Sequence, residues 1–332
     1  MENFADRLLG AIEEKGNPCV VGLDPRIELM PAFIQEPLRQ DSSPETVRRA
    51  ISRFHRIVLD ATAPVVPAVK PQSAFYEQYG IGGLMAFADT IHMAKERGLL
   101  VIADAKRSDI ASTAQAYADT FLGRVTLPCG ETRVFDADSM TVSPFLGRDS
   151  LVPFVRTCAK YGKGIFVLVK TSNPGSVDIQ NVQTAGSGEP IYLRLARMVD
   201  ELGRELCGKR GYSAVGAVVG ATFPEEAAEL RLHMPRAIIL VPGYGAQGGT
   251  ADDVARCFNP GGCGAVVSAS RSITYSFDHP DISEADYVRL VRERTEAMIA
   301  DVLAALHRRF GQVLGPYRTP DSVRTRICNS GP

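Results

Sequence analysis

LLVIADAKRSDIASTAQAYADTFL, residues 99–122, holds the repeating unit of the whole chain. It opens on an apolar run, Leu99–Ala103, passes through the charges Asp104, Lys106, Arg107 and Asp109, and ends in a helical stretch, Ser108–Leu122. A near-continuous apolar run of this length suits a strand covered on both faces, as in a parallel sheet. Seven more runs repeat it: CVVGL (19–23), VVPAV (65–69), SMTVS (139–143), GIFVLV (164–169), VGAVVG (215–220), AIILV (237–241) and AVVSA (265–269). Helical patterns separate them, among them Pro44–Ala63, Gly82–Arg97, Asp149–Tyr161 and Tyr192–Cys207. A long last helix, Ser283–Phe310, starts at a capping signal and carries a stripe of Leu290, Val291, Met298, Val302, Leu303, Leu306 and Phe310.

Eight buried strands alternating with helices predict an α/β fold, a (β/α)8 TIM barrel, although an open doubly wound sheet fits the same alternation. No charged or Pro-rich linker divides the chain, so 1–332 reads as a single barrel domain with a leading helix. The barrel is expected over about 17–311, with a mobile C-terminal tail at 312–332. The remaining length goes into a loop after the first strand, Pro25–Ser43, and an insertion near Gly123–Val134.

Composition removes several functions. Thirty-seven basic and 38 acidic residues leave a net charge of −1, so neither nucleic acid nor a membrane surface is an expected partner. No apolar run approaches the ~18 residues of a membrane span. The opening MENFADRLLGAIEEKG is an amphipathic helix pattern carrying acidic residues, unlike a signal or transit peptide. Seven scattered cysteines without a CxxC pair read as reduced thiols in a cytoplasmic protein. The five histidines stand far apart, and no zinc-ligand spacing appears, so no metal is expected.

In a barrel, the chemistry sits at the C-terminal ends of the strands. Here those ends read Asp24, Lys70, Asp104 with Lys106, Ser143, Lys170 with Ser172, Ala221 with Thr222, Pro242 with Gly243, and Ser270 with Arg271. Any one of these could be a solvated loop residue, but acids and bases converging on one mouth indicate a site, because charge beside buried apolar runs is costly unless paired. Asp104 and Lys106 are two apart, so an extended segment points them the same way. Asp109 is expected in the first turn of the following helix, where the dipole alone would favour a carboxylate. PGYGAQGG (242–249) and SASRSI (268–273) follow the last two strands, where this fold binds phosphate through backbone N–H groups, with Arg271 adding charge. The connection Thr171–Pro190 is long and rich in Gly, Ser and Asn, which suits either a lid or a surface insertion. No nucleophile elbow or Cys/Ser–His arrangement is present.

DAKRSDI preceded by Lys70, together with SNPG, PGYGAQGG and SASRSI, resembles the orotidine 5′-phosphate decarboxylase family in its longer bacterial form. The resemblance runs from Asp24 to Arg271. It implies cofactor-free conversion of orotidine 5′-phosphate to uridine 5′-phosphate and CO2, the last step of de novo pyrimidine nucleotide synthesis. It also implies a homodimer with shared sites. By that resemblance Asp24 holds ribose hydroxyls, and Lys70, Asp104, Lys106 and the partner subunit's Asp109 form an alternating charge array. Thr113 reaches across the same interface, Ser172 reads the pyrimidine edge, and Gln247 and Arg271 hold the phosphate. Ser270 departs from the glycine that many shorter members carry before the arginine.

Loss of CO2 from C6 leaves a carbanion outside the ring's π system, and no nicotinamide, flavin, pyridoxal or metal motif is present to accept that charge. Fixed electrostatic stabilisation is then required. A Mg2+-dependent keto-sugar-phosphate decarboxylase or epimerase of the same suprafamily is a second reading, and it calls for a carboxylate where Lys70 stands. A Schiff-base aldolase using Lys170, or a non-catalytic uridine-nucleotide-binding module, are further readings.

Overall fold

Each apolar run becomes a strand because its alternate residues are needed on two different apolar surfaces. The computed structural model describes residues 1–311, and the expected mobile tail lies outside the described residues. Eight parallel strands close a barrel: β1 (Cys19–Leu23), β2 (Ala68–Pro71), β3 (Leu100–Arg107), β4 (Ser139–Val142), β5 (Gly164–Lys170), β6 (Ser213–Val219), β7 (Ala237–Val241) and β8 (Ala265–Ala269). Each pairs with its sequence neighbour, and β8 returns to β1 with Cys19 opposite Val267 and Val21 opposite Ala269. The closed barrel, not the open sheet, is therefore the architecture.

Val20, Ala68, Ile102, Phe166, Val218, Leu240 and Val266 point inward and form one cluster. Their neighbours Val21, Val69, Val101, Val167, Val219, Val241 and Val267 point outward against the helices. This period of two is the strand repeat, and it explains why the runs are apolar without interruption. The leading helix, Phe4–Lys15, closes the barrel's N-terminal end, with Phe4, Leu8, Leu9 and Ile12 joining the interior cluster. Phe4 meets Phe166 edge-on, with centroids 6.0 Å apart. Gly164 has to be glycine there, since a Cβ would lie 2.1 Å from the Phe4 ring.

Some boundaries move for local reasons. VVPAV does not begin a strand at Val65, because the N–H groups of Val65 and Val66 turn back to the Thr62 carbonyl at the preceding helix end. β2 starts only at Ala68. The helix expected from Ser108 begins at Ala111 and ends at Phe121, so Asp109 precedes it instead of occupying its first turn. Its carboxylate accepts from the Ile110 N–H at 2.8 Å, a local turn contact. The insertion folds as a two-stranded hairpin, Val125–Leu127 against Gly130–Thr132. The last helix, Glu284–Phe310, is capped by Ser283 as expected. Its buried stripe is Tyr287, Val291, Thr295, Met298, Val302, Ala305 and Leu306, while Leu290, Leu303 and Phe310 are half-buried.

No helix among the described residues is long and apolar enough to cross a membrane.

Candidate active site

The C-terminal ends of the strands surround a cavity of about 580 Å3. Asp24, Lys70, Asp104, Lys106, Ser172, Gln247 and Arg271 all line it, so seven of the nine residues singled out from the sequence meet in one place. Asp109 and Thr113 do not line it: Asp109 is half-buried and Thr113 exposed, both outside this cavity.

Asp104 is the centre of the arrangement. It is 6% exposed, and four donors converge on its two oxygens. Lys70 Nζ lies 2.7 Å from Oδ2 and Lys106 Nζ lies 2.6 Å from Oδ1. Gln72 Nε2 donates to Oδ2 at 3.0 Å and the Thr141 hydroxyl to Oδ1 at 2.9 Å. Burial alone would raise the carboxyl's pKa, but the ammonium groups of Lys70 and Lys106 outweigh it and hold Asp104 well below the usual carboxylate range. Burial works against the Lys70 charge too, and there the carboxylates of Asp104 and Asp24 prevail and raise its pKa. Asp104 is thus an anion, and Lys70 a cation, throughout the neutral range.

The backbone of β3 is bent to present Lys106. Its pairing with β4 shifts register between Ala103 and Arg107, and Lys106 sits at φ 47°, in the left-handed region. A non-glycine residue there stores roughly 1–3 kcal/mol of strain. The Lys106 N–H donates to the Thr141 hydroxyl at 2.9 Å, and that hydroxyl in turn donates to Asp104. Thr141 therefore fixes both the bulge and the carboxylate. Neither Thr141 nor Gln72 was singled out from the sequence. A hydroxyl at alternate spacing inside the buried run SMTVS is the signal that marks Thr141.

The opposite wall is built for a ligand carrying hydroxyls and an anion. Asp24 accepts from the Ser270 hydroxyl at Oδ2, while its buried Oδ1 has no hydrogen-bond partner among the described residues. The Tyr275 hydroxyl donates to the Asp24 carbonyl at 2.8 Å and fixes the backbone there. The glycine-rich loop after β7 turns through Gly243, Gly245 and Gly248, at φ 97°, 71° and 92°, conformations that L side chains rarely adopt. Gly243 faces both Ser172 and Gln247, so a bare backbone lets the two side chains approach the same wall. Arg271 opens the short helix Arg271–Thr274 after β8, is exposed to the cavity, and makes no ion pair among the described residues.

Lys170 is placed elsewhere. It is fully buried outside the cavity, its Nζ 4.2 Å from the Phe223 ring centroid and 2.5 Å from Asn181 Oδ1. A lysine so enclosed cannot meet a substrate carbonyl in the mouth, which corrects the Schiff-base reading. Instead it fastens the Thr171–Pro190 connection, where Gln180 also exchanges hydrogen bonds with Thr171 at 3.0 and 2.9 Å. That connection is folded into a turn at Pro174–Ser176 and a helix at Val177–Gln180. Ser172 and Asn173, at its base, line the cavity.

Residues 19–284 match the family described as orotidine 5′-phosphate decarboxylase / HUMPS. The chain is 46% identical over 285 residues to the orotidine 5′-phosphate decarboxylase of Rhodopirellula baltica, covering 86% of this chain and 92% of that one. It is 36% identical over 307 residues to that of Caldicellulosiruptor saccharolyticus, covering 90% of this chain and 100% of the other. Among solved structures, the OMP decarboxylase of Leishmania donovani superposes with a TM-score of 0.69 at 27% identity, over 92% of this chain and 98% of its own.

Proposed function

The chain belongs to the orotidine 5′-phosphate decarboxylase / HUMPS family and decarboxylates orotidine 5′-phosphate to uridine 5′-phosphate and CO2, and we propose that it does so with fixed charge and no cofactor. The observation that carries this is Asp104, a buried carboxylate clamped between two ammonium groups at the mouth of the barrel. With the substrate's phosphate on Arg271 and Gln247, its ribose hydroxyls meet Asp24, whose Oδ1 is free to accept, and its pyrimidine edge meets Ser172. C6 then faces Lys106. When the bond from C6 to the carboxylate breaks, CO2 leaves and the electron pair stays on C6. The Lys106 ammonium stabilises that pair and then donates the proton that replaces CO2, and the amine recovers its proton from water. Asp104 lies beside the departing carboxylate and holds Lys106 in place, and Lys70 balances and orients Asp104. A Mg2+-using relative would need a ligand where Lys70 stands, and here that position is a buried cation already spent on Asp104.

The barrel, about 17–311, would carry this activity as one domain. Cys19, Cys129, Cys158, Cys207 and Cys257 are free thiols, three of them buried, in keeping with a cytoplasmic enzyme.

The site lacks one member of the array. Lys106 has a carboxylate on one side only, and Asp109 lies outside its own chain's cavity. Two copies related by a two-fold axis would supply the partner subunit's Asp109 and the partner subunit's Thr113 to each mouth. Ile110, 56% exposed beside Asp109, is an apolar side chain that such an interface would cover.

The test is loss of orotidylate absorbance by the purified protein after exhaustive chelation. Full activity is expected. Activity abolished by chelation and restored by Mg2+ would overturn the cofactor-free reading. In the same assay Arg271→Ala should raise KM by about 10²-fold, as expected from removing a charge-assisted hydrogen bond worth ~1.5–3 kcal/mol. The fall in kcat should be smaller, because the phosphate is remote from C6 and acts through binding energy. An unchanged KM would remove Arg271 from the phosphate site.

A further inference from the structure

A second cavity, of about 230 Å3, lies at the opposite end of the barrel, and the decarboxylation makes no use of it. The insertion between β3 and β4 builds one of its walls. Val125 pairs with Thr132 across the hairpin, so the residues just outside that pair, Arg124 and Arg133, are brought side by side. Lys95, near the end of the Gly80–Glu96 helix, Lys163, just ahead of β5, and Arg7 of the leading helix also line the cavity. Five cations therefore surround it.

Their pairing leaves a surplus. Asp136 takes three of them: Lys163 Nζ at 2.8 Å, Arg133 at 2.8 Å, and Lys95. One carboxylate against three cations leaves two positive charges over. The other two are matched, Arg7 by Asp138 at 2.6 Å and Arg124 by Glu131 at 3.5 Å. Met1 and Glu2 also border the cavity, so the Glu2 carboxylate is set against part of that surplus. Of the three cations on Asp136, Lys163 is enclosed, Lys95 partly exposed and Arg133 half exposed. Lys163 is 8% exposed, and the buried Nε of Arg124 has no hydrogen-bond partner among the described residues. Burial pushes the Lys163 pKa down and the neighbouring Lys95 charge adds to that, while Asp136, despite its burial, is drawn down to about 2 by Lys163 and Lys95. Enclosed like charge is costly unless an anion compensates it.

We propose that this cavity is a binding site for a diphosphate group. Guanidinium forks suit phosphoryl oxygens, and Arg124 and Arg133 present two of them from one hairpin. The cavity, about 230 Å3 and open on one side, has room for a diphosphate. The group is either inorganic pyrophosphate or the diphosphate of a nucleotide whose sugar and base stay outside. The site is separate from the reaction mouth and does not depend on the substrate assigned there.

Calorimetric titration of the full chain, first saturated with uridine 5′-phosphate to fill the mouth, tests the proposal. Pyrophosphate should bind saturably, at least tenfold more weakly to Arg124→Ala/Arg133→Ala and unchanged to Arg271→Ala. The double variant should keep its turnover of orotidine 5′-phosphate, which shows that it is folded. Uridine 5′-triphosphate binding more tightly than pyrophosphate would identify a nucleotide as the source of the group, and the reverse order the free anion. Absence of saturable heat, or equal affinity in the double variant, would overturn the site. Loss of the heat in Arg271→Ala instead would place the anion at the mouth and overturn it as well.

Discussion

Lys106→Ala should lose turnover by about 10⁴-fold or more, since it removes both an aimed charge, worth ~10²–10³, and a proton donor, worth ~10²–10⁴. The reason is geometric. Lys106 is held against Asp104 at 2.6 Å, on a backbone bulge near the end of β3. Asp104 keeps Lys70, Gln72 and Thr141 in the variant, so the pocket persists. Uridine 5′-phosphate should accordingly bind within about tenfold of its normal affinity, a difference of ~1.4 kcal/mol. Absorbance kinetics and equilibrium titration of the same preparation check both halves. Turnover within tenfold of the parent protein would remove Lys106 from the role of proton donor.

The second large effect is a recovery. If the chain pairs as the proposed two-fold dimer, the Lys106→Ala and Asp109→Ala proteins should each be nearly inactive. Unfolded together and refolded, they pair at random, and about half the dimers carry one subunit of each kind. If each mouth is completed by the partner's Asp109, a two-fold axis puts both lesions into one site of a mixed dimer and leaves the other intact. Activity should return to roughly a quarter of the unsubstituted level. Were Asp109 to serve its own chain, every site would hold one lesion and nothing would return. A flat result, with subunit exchange shown independently by mixed labels, would end the shared-site reading.

Residues whose position follows from strand periodicity could be placed from the sequence alone. Asp104 and Lys106 are two apart on one strand, and Asp24, Lys70 and Arg271 each follow a buried apolar run, so a barrel brings them to one mouth without further information. Three kinds of feature escaped. Lys170 also follows such a run, yet the irregular pairing of β5 with β6 between Leu168 and Lys170 turns it out of the cavity, and a bulge leaves no mark in composition. Asp109 looked like a helix-start charge, whereas Ile110 precedes a helix that begins at Ala111. Helix entry is set by a turn contact at the carboxylate itself, which apolar periodicity does not register. The support around Asp104 was also hidden, because Gln72 and Thr141 become meaningful only once three strand ends are side by side.

Barrel closure has a consequence for how the chain is made. Cys19 meets Val267, 248 residues later, so β1 has an unsatisfied edge until β8 has left the ribosome. At ~5–20 residues per second that interval lasts about 12–50 s. During it, the leading helix holds apolar side chains, Phe4, Leu8, Leu9 and Ile12, whose final surroundings include Ile238, Leu240 and Val266, not yet synthesised. The nascent chain thus carries its own stopper ahead of the strands but has no vessel to fit it into. Its early stretches are the ones most in need of shelter from other chains until β8 arrives.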